Sequence, residues 1–238
     1  MINPHPKQCF WYEAAEKYGA PDIKYCEETI CSIVSEPANT WSNLAIVFVG
    51  LLIMWHTKSV KHKTLKYFGP SITGLGVLSF LYHMSNNFLT QYFDFIGMYA
   101  ILGLVLFINL MRVGIVSKQN LNRYYLLSFI PFTLLIFVFR ALHIPIQLTI
   151  AATIFTALIM EYIDYKKDPK NFSDYKVLIS ALLLFATAFS FQAIDIKRLY
   201  CDPSNHLLQP HALWHFFNAL GMGVLYFYYL RVFNHMRK

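Results

Sequence analysis

Seven stretches of this chain run for about 17 to 25 residues without an unpaired charge, the length a helix needs to cross a bilayer. They extend approximately from Asn39 to Trp55, Tyr67 to Met84, Gln91 to Met111, Tyr124 to Phe139, Pro145 to Ile163, Val177 to Ile196 and His211 to Phe233. Between them lie turn and polar residues: His56 to Lys66, Ser85-Asn86-Asn87, Ser117 to Arg123, His143, Lys166 to Asp174, and Cys201 to Pro210. Pro145 and Pro210 stand where a helix can begin without losing a bonded N–H. Of the 238 residues 56% are hydrophobic and 14% charged, whereas soluble domains average about 25% charged. This excludes a water-soluble globule. The expected fold is an all-α, polytopic bundle of seven transmembrane helices over 38–233, with an extracytoplasmic segment at 1–37 and a short cytoplasmic tail at 234–238.

The formal charge of +7 invites a nucleic-acid reading, but the positions of the basic residues answer it. Across seven spans, 14 Lys and Arg fall on one side and 6 on the other. The richer side is cytoplasmic by the positive-inside rule, so the amino terminus is expected outside and the carboxyl terminus inside. The charge is a topology signal, and no nucleic-acid partner is expected. Met1 to Gly19 carries no apolar leader, which leaves targeting to the first span. Asn171-Phe172-Ser173 fits a glycosylation acceptor, but it lies in a loop assigned to the cytoplasm and is expected unmodified.

Polar residues in spans are costly and usually partnered, so their places carry information. Span two ends in Ser79-Phe-Leu-Tyr-His83, span three begins Gln91-Tyr-Phe-Asp94, and span seven begins His211-Ala-Leu-Trp-His215. All three ends fall on the outer side by the charge count. Residues four apart share a helix face, which pairs His211 with His215 and Ser79 with His83. Two imidazoles from one helix and one from another supply three nitrogens for zinc and leave a fourth position for water, whose pKa falls towards about 7. Asp94 is placed to take a proton from that water, and Ser79 to donate to a carbonyl oxygen as charge develops on it. Singly, each has a plainer reading: a span-end His is commonly interfacial, and a Ser in a span commonly bonds the backbone. The convergence of three His and one Asp from three spans is what points to a metal. The other histidines, His5, His56, His62, His143, His206 and His235, are expected to be solvated.

At these residues the sequence resembles the alkaline ceramidases, within a superfamily of seven-span membrane hydrolases that includes the progestin and adiponectin receptors. The matching motifs are Ser35-Glu36-Pro-Ala-Asn39-Thr40-Trp-Ser42-Asn43 opening span one, Ser79-x-x-x-His83 followed by Asp94, and His211-x-x-x-His215. Their order agrees over about Cys26 to Gly223. The resemblance implies a zinc-dependent intramembrane amide hydrolase, with Zn2+ on His83, His211 and His215, and Asp94 and Ser79 as catalytic residues. Its substrate would be a membrane lipid of ceramide type, cleaved to a fatty acid and a sphingoid base near the extracytoplasmic, luminal or periplasmic, side. The oligomeric state is left open.

The resemblance further implies a Ca2+ site in an acidic amino-terminal loop of the form Asp-Trp-Cys-Glu-x-Asn, followed by a Glu before span one. Here the loop reads Lys24-Tyr25-Cys26-Glu27-Glu28-Thr29. Lys and Thr replace two oxygen donors, leaving Glu27 and Glu36 as the candidate calcium ligands, with Asp22 and Glu28 as further carboxylates. A disulfide between Cys26 and Cys201 is likewise implied, and Asp195 matches an Asp of the family with a supporting role. The alternatives are a hydrolase of another N-acyl or ester lipid, and a seven-span receptor or binding protein with a non-catalytic zinc. The outward amino terminus disfavours the receptor. A retinal pump lacks its lysine, since no Lys lies between His211 and Arg231, and no internal repeat suggests a transporter.

Overall fold

The computed structural model describes residues 3–167 and 172–235, except the side chains of Phe172 and Ser173. The Asn171 acceptor and the last three residues of the expected tail, 236–238, lie outside the described residues. All regular structure in the described residues is helical. It comprises α1 (Tyr12–Tyr18), α2 (Pro37–Thr57), α3 (Phe68–Ser85), α4 (Phe88–Arg112), α5 (Leu121–Ala141), α6 (Gln147–Lys167), α7 (Phe172–Ile196) and α8 (Pro210–His235), with a 3-10 turn at Lys63–Tyr67.

Each of the seven apolar stretches is a helix. Six are long and apolar enough to cross a membrane. The remaining one, α3, has 18 residues and is diluted by glycines, serines, a threonine and His83. Pro210 opens α8, but Pro145 precedes the first helical residue of α6 by two, and Pro131 lies inside α5. The short α1 and the 3-10 turn carry no long apolar periodicity, so the sequence does not announce them.

The chain divides into two compact units, Met1–Gly97 with Ser173–Lys238, and Met98–Phe172. In the first unit α2 and α3 run antiparallel in close contact through small residues. A Cβ on Gly50 would meet the Thr73 backbone nitrogen at 2.6 Å, and one on Gly76 the Val47 nitrogen at 2.8 Å. Only glycine allows that approach, a device common in membrane helices. At its far end α3 stops at Asn86, whose left-handed backbone (φ 43°) sends its N–H back to the Tyr82 carbonyl (2.7 Å). Two residues later α4 begins. This tight turn is why His83 and Asp94, eleven apart in sequence, come from adjacent helix ends.

The segment before α2 is stitched over this end of the unit. The His5 Nε2 lies 3.0 Å from the Ser85 carbonyl, the Asn86 side chain donates to Thr29 (2.7 Å), and the Glu36 N–H donates to the His83 carbonyl (3.2 Å). Two disulfides tie it down: Cys9 to Cys31, and Cys26 to Cys201 in the segment between α7 and α8. In the second unit, the buried Arg112 of α4 meets Glu161 and Asp164 of α6, its Nη2 lying 2.9 Å from Glu161 Oε1 and 2.5 Å from Asp164 Oδ2.

Candidate metal centre

His83 at the end of α3 and His211 and His215 on the first turns of α8 are all buried, and one ring nitrogen from each lies within 4.8 Å of the other two. The α2–α8 and α2–α3 contacts set this convergence, because α2 lends a partner to two of the three rings. Ser42 Oγ lies 2.8 Å from His215 Nδ1, and Glu36 Oε2, at the N-cap of α2, lies 2.7 Å from His83 Nδ1. Gln192 of α7 serves the third, with Oε1 2.6 Å from His211 Nδ1.

Every Nδ1 thus has an outer partner, and every Nε2 is left for the centre. Ser42 spends its own proton on the Asn39 carbonyl (2.9 Å), so it accepts from His215 Nδ1–H. His83 Nε2 and His211 Nε2 face each other at 3.2 Å, and His215 Nε2 is buried with no partner. Burial pushes the Glu36 carboxyl up to about 8. Without a cation, a proton passed along Glu36, His83 and His211 satisfies that line but leaves His215 Nε2 unpaired, which is costly for a buried nitrogen. A cation taking three lone pairs satisfies all of them and lets Glu36 ionise. The donor set fits a zinc-type ion with three imidazoles and an open position, each ring oriented through its other nitrogen.

The two other site residues named by the sequence are also buried, Ser79 one turn before His83 on α3 and Asp94 in the second turn of α4. Tyr25, from the segment before α2, stacks its ring on His211 at a centroid distance of 3.7 Å. Asp195, expected to have a supporting role, accepts the Cys26 N–H at Oδ1 (2.8 Å) and the His211 N–H at Oδ2 (3.2 Å).

The calcium expectation fares differently. Glu27 accepts the Ala38 N–H at Oε1 (2.8 Å) and the Asn39 N–H at Oε2 (2.9 Å), capping the first turn of α2, and His206 Nδ1 lies 3.0 Å from Oε1. Glu36 receives the Asn39 amide (3.2 Å) as well as His83. Lys24 and Glu28 are exposed. Calcium asks for six to eight oxygens aimed at one point. Here N–H groups, whose positive ends oppose a cation, are aimed at the two carboxylates, so these residues do not fit a calcium ion.

Four of the histidines expected in solvent are engaged, among them His235, whose Nδ1 lies 2.8 Å from Asp174 Oδ2. His5 is buried, His206 holds Glu27, and His56 Nδ1 lies 2.7 Å from the Tyr226 hydroxyl. Gln192 and Tyr25 were missed as site residues. Gln192 had one signal, an uncharged amide inside an otherwise apolar run, and Tyr25 had only its neighbour Cys26.

No curated protein matches this chain. The sequence model of a family described as Ceramidase matches residues 18–238, which takes in every residue of the histidine cluster and its partners. The chain belongs to the ceramidase family.

Proposed function

We propose that this protein is a zinc-dependent hydrolase embedded in the membrane, which cleaves the N-acyl bond of ceramide-like lipids to a fatty acid and a sphingoid base. The observation that carries the metal part is the cluster itself: three buried imidazoles whose outer nitrogens are all engaged, with His215 Nε2 turned inward and unpaired. Family membership carries the substrate class. In this reading α3 crosses the bilayer with the other six helices, the amino terminus lies outside as the loop charges indicate, and the site sits near the outer leaflet.

His83, His211 and His215 hold the ion, which supplies Lewis acidity and makes water acidic near neutral pH. Asp94 accepts a proton from the attacking water and returns it to the amide nitrogen as the C–N bond breaks. The new C–O bond completes the carboxylic acid, and the amine leaves. Ser79 offers its hydroxyl towards the carbonyl oxygen as negative charge develops on it. The apolar helix surfaces take up the lipid chains and keep bulk water out.

A screen of N-acyl and ester lipids, with products identified by mass spectrometry and run with and without chelator, tests this. Fatty acid released from ceramides, and stopped by chelator, is the expected result. Release only from another lipid class would revise the substrate. Bound zinc without hydrolysis of any lipid would turn the reading to a receptor or binding protein.

A further inference from the structure

His211 is held more closely than a metal ligand needs to be by its own helix. Two aromatic rings stack nearly parallel to it: Trp214, one turn on in α8, at 5.0 Å and 10°, and Tyr25, from the segment before α2, at 3.7 Å and 22°. Tyr25 is only 5% exposed. On its Nδ1 side His211 meets Gln192 Oε1 at 2.6 Å.

The backbone around Tyr25 is fixed by protein contacts. Asp195 hangs two N–H groups from one carboxylate, Cys26 on Oδ1 and His211 on Oδ2, which sets the residue after Tyr25 and the ligand itself side by side. Cys26 is bonded to Cys201. Glu27 caps α2 through the Ala38 and Asn39 N–H groups and holds His206, and the Glu28 N–H reaches the Pro203 carbonyl (3.1 Å). An imidazole free to turn about its side-chain bonds spends entropy when it binds a metal. A ring stacked on one face and hydrogen-bonded at Nδ1 has spent it already.

Resting on the metal reading above, we infer that Tyr25 is a positioning residue for this site: its ring, held by the Cys26–Glu27 strap, fixes the plane of His211 so that Nε2 aims at the metal.

The test is zinc affinity, by competition with a chromogenic chelator, together with the visible spectrum of the cobalt-substituted protein. Tyr25→Leu removes ring and hydroxyl, and is expected to weaken zinc about tenfold, the lower end of the loss seen when outer partners of ligands are removed, and to shift the cobalt bands. Tyr25→Phe keeps the ring and is expected to return both readings close to wild type. Should Tyr25→Leu fail to fold, Cys26→Ser combined with Cys201→Ser loosens the strap with Tyr25 intact, and the same weakening and band shift are expected. A merely structural Tyr25 would lower thermal stability while affinity and spectrum stayed at wild-type values, and that outcome overturns the inference alone. Wild-type protein that takes up neither zinc nor cobalt overturns the metal reading as well.

Discussion

At the scale of single residues, the site is a division of labour between the two nitrogens of each histidine. Nδ1 is spent on Glu36, Gln192 or Ser42, and Nε2 faces the centre. Removing an outer partner therefore leaves the ligand in place but misdirected. Glu36→Ala is expected to lower zinc affinity by about 10- to 100-fold, read by chelator competition. Asp94→Asn does the reverse: metal content stays at the wild-type level while turnover falls by about 10² to 10⁴, the worth of a positioned proton carrier. Equal loss of metal in that variant would place Asp94 among the ligands. The convergence of His83, His211 and His215 is legible in the sequence because helical spacing and span ends put them at one depth, and the same reasoning proposes Ser79 and Asp94. The role of Glu36 is not legible, since a carboxylate beside an acidic loop looks like a calcium ligand until the fold shows which ring it faces. Gln192 is an uncharged amide three positions before Asp195, and only its place beside His211 Nδ1 gives it a meaning.

At the scale of elements, what matters is how near one helix can come to another. Gly76→Val at the α2 contact forces the helices apart, and is expected to cost about 1–3 kcal/mol, seen as a lower unfolding temperature in detergent with reduced metal retention, because α2 carries Ser42 and Glu36. In the second unit, Arg112→Leu removes the cation shared by Glu161 and Asp164, for an expected loss of about 3–5 kcal/mol. The same melting assay checks it, and restoration by Arg112→Lys would show that charge, more than the guanidinium fork, is what counts. Apolar runs reveal where these helices lie to within a few residues. They do not reveal which glycines mark contacts, because a glycine in a span reads the same whether it faces lipid or a neighbouring backbone. The same blindness applies to α1, whose seven residues are too few to show a face.

At the scale of the whole molecule, the amino-terminal segment is the part that sequence reasoning underrates. It carries no apolar run of its own, yet Tyr25, Cys26 and Glu27 are buried and tied to α2, α7 and the segment before α8. Contacts between residues 175 apart leave no trace in local periodicity, and only the resemblance to known proteins brought Cys26 and Cys201 together beforehand. The second pair, Cys9 with Cys31, had no such guide. All of this scaffolding serves one proposition, that the three imidazoles enclose a catalytic zinc. Elemental analysis of protein purified without added metal, beside His215→Ala prepared in the same way, tests it most directly. About one zinc per chain in the wild type, with none in the variant and no ceramide hydrolysis by it, is the predicted result, whereas wild-type protein that releases fatty acid while carrying no metal would contradict the account.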